Sequence, residues 1–101
     1  MAKISFDFDG VLTTKKGVDI LKKLTSENND IYIITARRRS IEVLDFARDN
    51  NIELDHIYFT SGFDKWKTIQ DLKIDVHYDN NQEQIDKINT FTNTSGRLFK
   101  N

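Results

Sequence analysis

Apolar and polar positions change rhythm repeatedly along this chain, and each rhythm predicts an element. From Lys3 the residues alternate, with Ile4, Phe6 and Phe8 on one side of an extended segment and Ser5, Asp7 and Asp9 on the other. Thr13 to Gly17 reads as a short polar loop. Helical spacing takes over from Val18 to about Asn28, carried by Ile20, Leu21 and Leu24, and Asn28-Asn29-Asp30 closes it. Ile31 to Thr35 is a nearly continuous apolar run, the mark of a strand covered on both faces in a parallel sheet. A second helix is predicted from Ser40, its N-cap, to Asn50, with Ile41, Leu44 and Ala47 at helical spacing. A third strand is predicted from His56 to Thr60, then a short helix containing Ile69 and Leu72. Ile74 to Tyr78 alternates as a fourth strand ending in Asp79-Asn80, and a helix with Ile85 and Ile88 follows. Arg97-Leu98-Phe99 adds a short fifth strand at an edge.

Strict alternation of strand and helix predicts an α/β fold. The expected architecture is a three-layer, Rossmann-like parallel sheet of about four or five strands, with right-handed crossovers and helices on both faces. In such sheets ligands bind beyond the carboxyl ends of the strands. Those ends carry Asp7 and Asp9, Thr35, Thr60 and Ser61, and Asp79 and Asn80. With 101 residues, no proline and no repeat or linker, a single domain over residues 1–101 is expected.

Composition removes several function classes. The balance of 15 basic and 16 acidic residues gives a net charge of −1, so no global attraction to nucleic acid or anionic membrane is expected. Without cysteine there is no disulfide, thiol nucleophile or zinc–thiolate site. No apolar run approaches the roughly 18 residues of a membrane span, and Met1-Ala2-Lys3 leads into a strand rather than a signal peptide. A soluble cytoplasmic protein, monomeric or a small homo-oligomer, is the expectation.

The acidic pair at the first strand's end changes the picture. Asp is a poor strand residue, and carboxylates at i and i+2 on one side repel each other. A divalent cation or a shared proton removes that cost. Gly10 then lets the backbone turn sharply and approach a ligand.

Four segments, in order, resemble the motifs of the haloacid dehalogenase (HAD) superfamily of aspartate-nucleophile phosphohydrolases, over essentially the whole chain. They are Asp7-Phe8-Asp9-Gly10-Val11, then Ile33-Ile34-Thr35, a lysine opening the helix after the third strand, and Val76-His77-Tyr78-Asp79-Asn80. The resemblance implies a phosphomonoester hydrolase with Mg²⁺ as cofactor. Asp7 is the implied nucleophile, forming an aspartyl-phosphate, and Asp9 the general acid and base. Asp7, Asp79 and the main-chain carbonyl of Asp9 are the implied metal ligands, an oxygen-only set suited to Mg²⁺. Thr35 and a lysine would bind the phosphoryl oxygens, with Gly10, Ala36 and Arg37 beside the substrate phosphate. Lys65 has Ile69 at +4 and Leu72 at +7, one turn before the buried face of its helix, which favours it over Lys67.

The sequence departs from the family pattern in two places. Asn80 stands where a second acid is common, leaving the metal site one charge fewer. Gly10 to Gly17 and Thr60 to Lys65 are too short for a cap domain, which implies a minimal capless form with an open site. Such a site suits a phosphate end on something large, a nucleotide or nucleic-acid end, or a small substrate enclosed by a neighbouring subunit. Arg37-Arg38-Arg39 directly follows Thr35 and reads either as a solvated helix start or as a grip on further phosphates. His77 and Trp66 read as packing residues, and His56 falls at the wrong edge for catalysis. The rival reading is a non-catalytic binding or regulatory domain on the same fold. A phospho-acceptor receiver domain fits less well, because the third strand ends in Thr60-Ser61 rather than an acid.

Overall fold

The apolar runs become five parallel strands in the computed structural model, which describes residues 1–101. The strands are β1 (Lys3–Phe6), β2 (Asp30–Thr35), β3 (Ile57–Phe59), β4 (Val76–Asp79) and β5 (Ser95–Leu98). The helices are α1 (Lys15–Ser26), α2 (Ile41–Asp49), α3 (Trp66–Leu72) and α4 (Gln82–Phe91). Spatial order is β3-β2-β1-β4-β5, with every neighbouring pair parallel. The chain therefore winds outward from β1 through β2 to β3, then returns to start again at β4 on the other side of β1. That reversal creates a crevice between the carboxyl ends of β1 and β4, the place where open α/β sheets bind ligands.

Each face of the sheet buries its own core. Ile4, Phe6, Ile31, Ile33 and Ile57 pack with Leu21 of α1 and with Val43 and Ala47 of α2. Tyr32 and Ile34 point the other way, onto Ile69 of α3 and Ile88 of α4. Burial on both faces explains why every residue from Ile31 to Ile34 is apolar. No helix is long and apolar enough to cross a membrane.

Several boundaries differ from expectation for local reasons. β1 stops at Phe6, and the chain past Asp7 enters a wide turn, Phe8–Leu12, in which Gly10 has φ 78°. Phe8, Val11 and Leu12 are buried in it, so the turn is held by packing. α1 starts at Lys15 rather than Val18 because the Thr14 hydroxyl accepts the Gly17 N–H at 3.0 Å and caps the helix. Most of the expected Thr13–Gly17 loop is thus helical. Ser40 does occupy the N-cap position of α2 but makes no capping bond, since its hydroxyl accepts from Arg37 instead. β3 is shortened by a 3₁₀ turn at Leu54–His56. Ile74 precedes β4 and packs under α3, while β5 begins at Ser95, earlier than Arg97.

Ile33 has no exposed surface and lies on the central strands, whereas Ile41 is 77% exposed on α2. Ile33→Ala is expected to cost about 2–5 kcal/mol and Ile41→Ala within about 0.5 kcal/mol, read from urea midpoints at unchanged slope. Equal shifts in both variants would contradict this core.

Candidate active site

Asp7 is the first residue beyond β1. Its N–H donates to the Tyr78 carbonyl at 2.9 Å, which keeps it in line with the sheet. Its Oδ1 accepts from the Phe8 N–H and from Lys65 Nζ, both at 2.9 Å. Asp79 closes β4 alongside. Its Oδ1 accepts the Asn81 N–H at 3.0 Å, and its Oδ2 accepts from Lys65 Nζ at 2.8 Å and from His77 Nε2 at 2.9 Å. Lys65 thus bridges the ends of two neighbouring strands. It is 4% exposed, at the N-cap position of α3, whereas Lys67 is exposed on the outer side.

Behind Asp79 lies a buried relay. A carboxylate only accepts, so His77 carries its proton on Nε2, and its Nδ1 accepts the Ser5 hydroxyl at 2.6 Å. Ser5, His77 and Asp79 are all fully buried. Ser5 and His77 sit opposite each other in the β1–β4 register, which brings them together. Every buried side-chain nitrogen and oxygen in the molecule has a hydrogen-bond partner. Asp7 Oδ2 takes no hydrogen bond, so it is the oxygen left open to the cavity above.

That cavity measures about 360 Å³, and its lining includes Asp7, Asp9, Thr35, Ala36, Lys65 and Asn80. Thr35 ends β2 nearly buried. Its hydroxyl accepts the Arg37 N–H at 3.3 Å and keeps its own proton free to donate. Gly10 suits this turn: its φ of 78° is one that L side chains rarely adopt, and a Cβ here would push the Asn80 side chain aside, its amide nitrogen lying 2.1 Å away. Asn80 therefore packs over the turn. A larger hollow of about 550 Å³ along α1 is lined mainly by exposed lysines and gathers no comparable groups.

Asp7 and Asp9 both line the cavity, but they are held by different partners. The turn carries Asp9 outward onto Arg37, whose Nε donates to Oδ2 at 2.8 Å and whose Nη2 donates to Oδ1 at 2.7 Å. Arg37 also donates from Nη1 to Glu42 at 2.8 Å and to Ser40 at 3.1 Å. Asp9 has the Arg37 guanidinium while Asp7 shares the Lys65 ammonium with Asp79, so cations of the chain itself offset the repulsion read from the sequence. The carboxylates of Asp7, Asp9 and Asp79 do not form one cluster; Glu53, Asp55 and His56 do come within 4.8 Å of one another, but at the amino end of β3, away from the cavity. Arg38 and Arg39 are exposed, and of the three arginines Arg37 alone reaches the site's residues.

Burial pushes the Asp7 carboxyl up to about 6, with Lys65 pulling it down and Asp79 raising it further. Burial acts the same way on Asp79, but the hydrogen bond from His77 and the charge of Lys65 outweigh it and hold the group at about 2. Burial also depresses His77, consistent with a neutral ring. The guanidinium of Arg37 holds Asp9 below the usual carboxylate range, so here Asp9 is an ionised acceptor.

Compared with known proteins, the sequence matches no family model and no curated protein.

The site contains residues that periodicity alone does not single out. His77 lies in the core, as its place within β4 predicts, but its bond to Asp79 has no counterpart in the pattern. The signal is two polar residues, Ser5 and His77, on otherwise apolar strands, and it becomes readable only once β1 and β4 are known to be neighbours. Glu42 and Gln84, which accept from Arg37 and from the Lys65 N–H, carry no such signal. Trp66 packs against Phe91, and the His56 ring stacks on Tyr32, so both are structural.

Asp7 has its carboxyl raised from 3.8 to about 6, so its ionisation costs stability as pH rises through that window. Asp7→Asn is expected to stabilise the fold by about 1–3 kcal/mol above pH ~6 and to change it little below pH ~4. Denaturant unfolding across pH reads this, and a variant less stable at neutral pH would contradict it.

Proposed function

We propose that this chain is a Mg²⁺-dependent phosphomonoester hydrolase of the HAD type, in a capless form, acting through an aspartyl-phosphate on Asp7. The observation that carries the reading is the asymmetry of Asp7. One oxygen is tied to Lys65 and to the Phe8 N–H, while Oδ2 is bare and faces the cavity at the switch point of the sheet. A carboxylate with one oxygen fixed and the other free is oriented for attack.

On this reading the Thr35 hydroxyl and the Lys65 ammonium hold the phosphoryl oxygens. Asp7 Oδ2 attacks phosphorus, and the ester oxygen leaves with a proton from Asp9, which takes that proton from solvent once it has left Arg37. Asp9, now a base, deprotonates a water that attacks the same phosphorus, releasing phosphate and restoring the Asp7 carboxylate. Gly10 and Ala36 let the backbone come close to the substrate. Asp7 and Asp79, with the Asp9 carbonyl, would hold Mg²⁺. The donor set is oxygen-only, which suits a hard cation, and the Lys65 ammonium now occupies the place between the two carboxylates that such a cation would share or take over. Bound Mg²⁺ supplies charge neutralisation at the phosphoryl group. The substrate is a phosphate ester presented at an open mouth, such as a nucleotide or nucleic-acid end.

A second reading, a non-catalytic phosphate-binding domain, draws support from Asp9, both of whose oxygens are occupied by Arg37, and from Asn80 in place of an acid. Turnover decides between them. Phosphate release from p-nitrophenyl phosphate is expected with Mg²⁺, to vanish in excess EDTA, to fall about 10³-fold or more in Asp7→Asn and to drop sharply in Asp79→Ala. Saturable phosphate binding with no turnover in Mg²⁺ would establish the binding domain instead.

A further inference from the structure

We infer that Arg37 is a latch on Asp9 that a second phosphate group on the substrate releases, so that the enzyme favours substrates bearing another phosphate beside the one it removes. The inference rests on the hydrolase reading. Both oxygens of Asp9 are accepted into the fork of one guanidinium, at 2.8 and 2.7 Å. Held so, the carboxylate's orientation is set by the guanidinium and not by a leaving group in the cavity. Asp9 can serve as acid and base only after the guanidinium lets go.

The geometry favours exchange over permanent closure. The Asp9 side chain is 55% exposed and that of Arg37 is 30% exposed, so water screens the pair and an incoming anion competes on comparable terms. The contrast is Lys65 with Asp7, 5% and 10% exposed, a pair that water screens far less. The fork that grips a carboxylate bidentately is the same fork that grips phosphate. Three contacts keep the guanidinium nearby after it leaves Asp9: Nη1 stays on Glu42 and Ser40, and the group lies 5.0 Å over the Phe8 ring. The backbone need not move. Arg37 N–H is bonded to Thr35 Oγ, and its carbonyl accepts the Ser61 N–H at 3.2 Å. Only the side chain must swing. An ester with a single phosphate offers nothing to draw it off, whereas a second phosphate placed near Thr35 does.

Inorganic pyrophosphate, titrated in metal-free buffer and followed by NMR, tests the exchange without turnover. Asp9→Asn removes the internal competitor and should tighten pyrophosphate binding about 2- to 5-fold. Arg37→Met should weaken it, and in the Arg37→Met background Asp9→Asn should change nothing. Equal tightening in both backgrounds would mean simple charge repulsion and overturn the latch, as would no tightening at all. The kinetic arm compares p-nitrophenyl phosphate with a 5′-phosphorylated dinucleotide in Mg²⁺. Arg37→Met should raise kcat on the first, by freeing Asp9, and lower kcat/KM on the second. An equal fall on both would overturn the latch. A wild type inactive on both counts against the hydrolase reading, and the pyrophosphate cycle then still decides the exchange.

Discussion

One ammonium between two carboxylates is the constraint on which the site depends. Asp7 and Asp79 end neighbouring strands, and both are nearly or fully buried. Two buried anions at that separation would cost several kcal/mol unless a cation stood between them. Lys65 does, and its position is in turn fixed from outside. Its N–H bonds Gln84 of α4, and Ile69 one turn on anchors α3 in the second core. The sheet's carboxyl edge and the helices over one face are thus locked through a single side chain.

The same edge holds two carboxylate–cation pairs of different character. Lys65 with Asp7 is enclosed, and His77 and Ser5 support the shared partner Asp79 from behind. Arg37 with Asp9 is at the solvent margin and touches neither buried carboxylate. Burial decides the difference. An enclosed pair resists dissociation because a lone buried charge is expensive, whereas an exposed pair is readily exchanged for another anion. Rigidity and exchange are therefore separated by a few residues of sequence, Asp7 on one side and Asp9 on the other.

The layout of the fold was legible because a sheet covered on both faces writes itself as uninterrupted apolar runs, as Ile31 to Ile34 do. The strand ends followed, and with them Asp7, Thr35 and Asp79 around one cavity. That Lys65, and not Lys67, turns inward to the strand ends was also legible from helical phase. What periodicity could not supply were facts of neighbourhood. Ser5 meets His77 only because β4 lies beside β1, an order that local pattern does not encode. The helical start at Lys15 was hidden because a threonine cap outweighed the polar look of Thr13 to Gly17. The place of Asp9 was misjudged because strand alternation was carried into a turn whose packing, through Phe8, Val11 and Leu12, ends the strand sooner.

In the proposed mechanism the bare oxygen of Asp7 takes up the phosphoryl group. Borohydride reduction during turnover, followed by peptide mass spectrometry, tests it most directly, because an acyl phosphate is reduced to the alcohol while free carboxylates are not. Homoserine is expected at position 7, formed only with substrate present, with no change at Asp9 or Asp79. Reduction at another carboxylate, or none in a preparation that is visibly releasing phosphate, would contradict it.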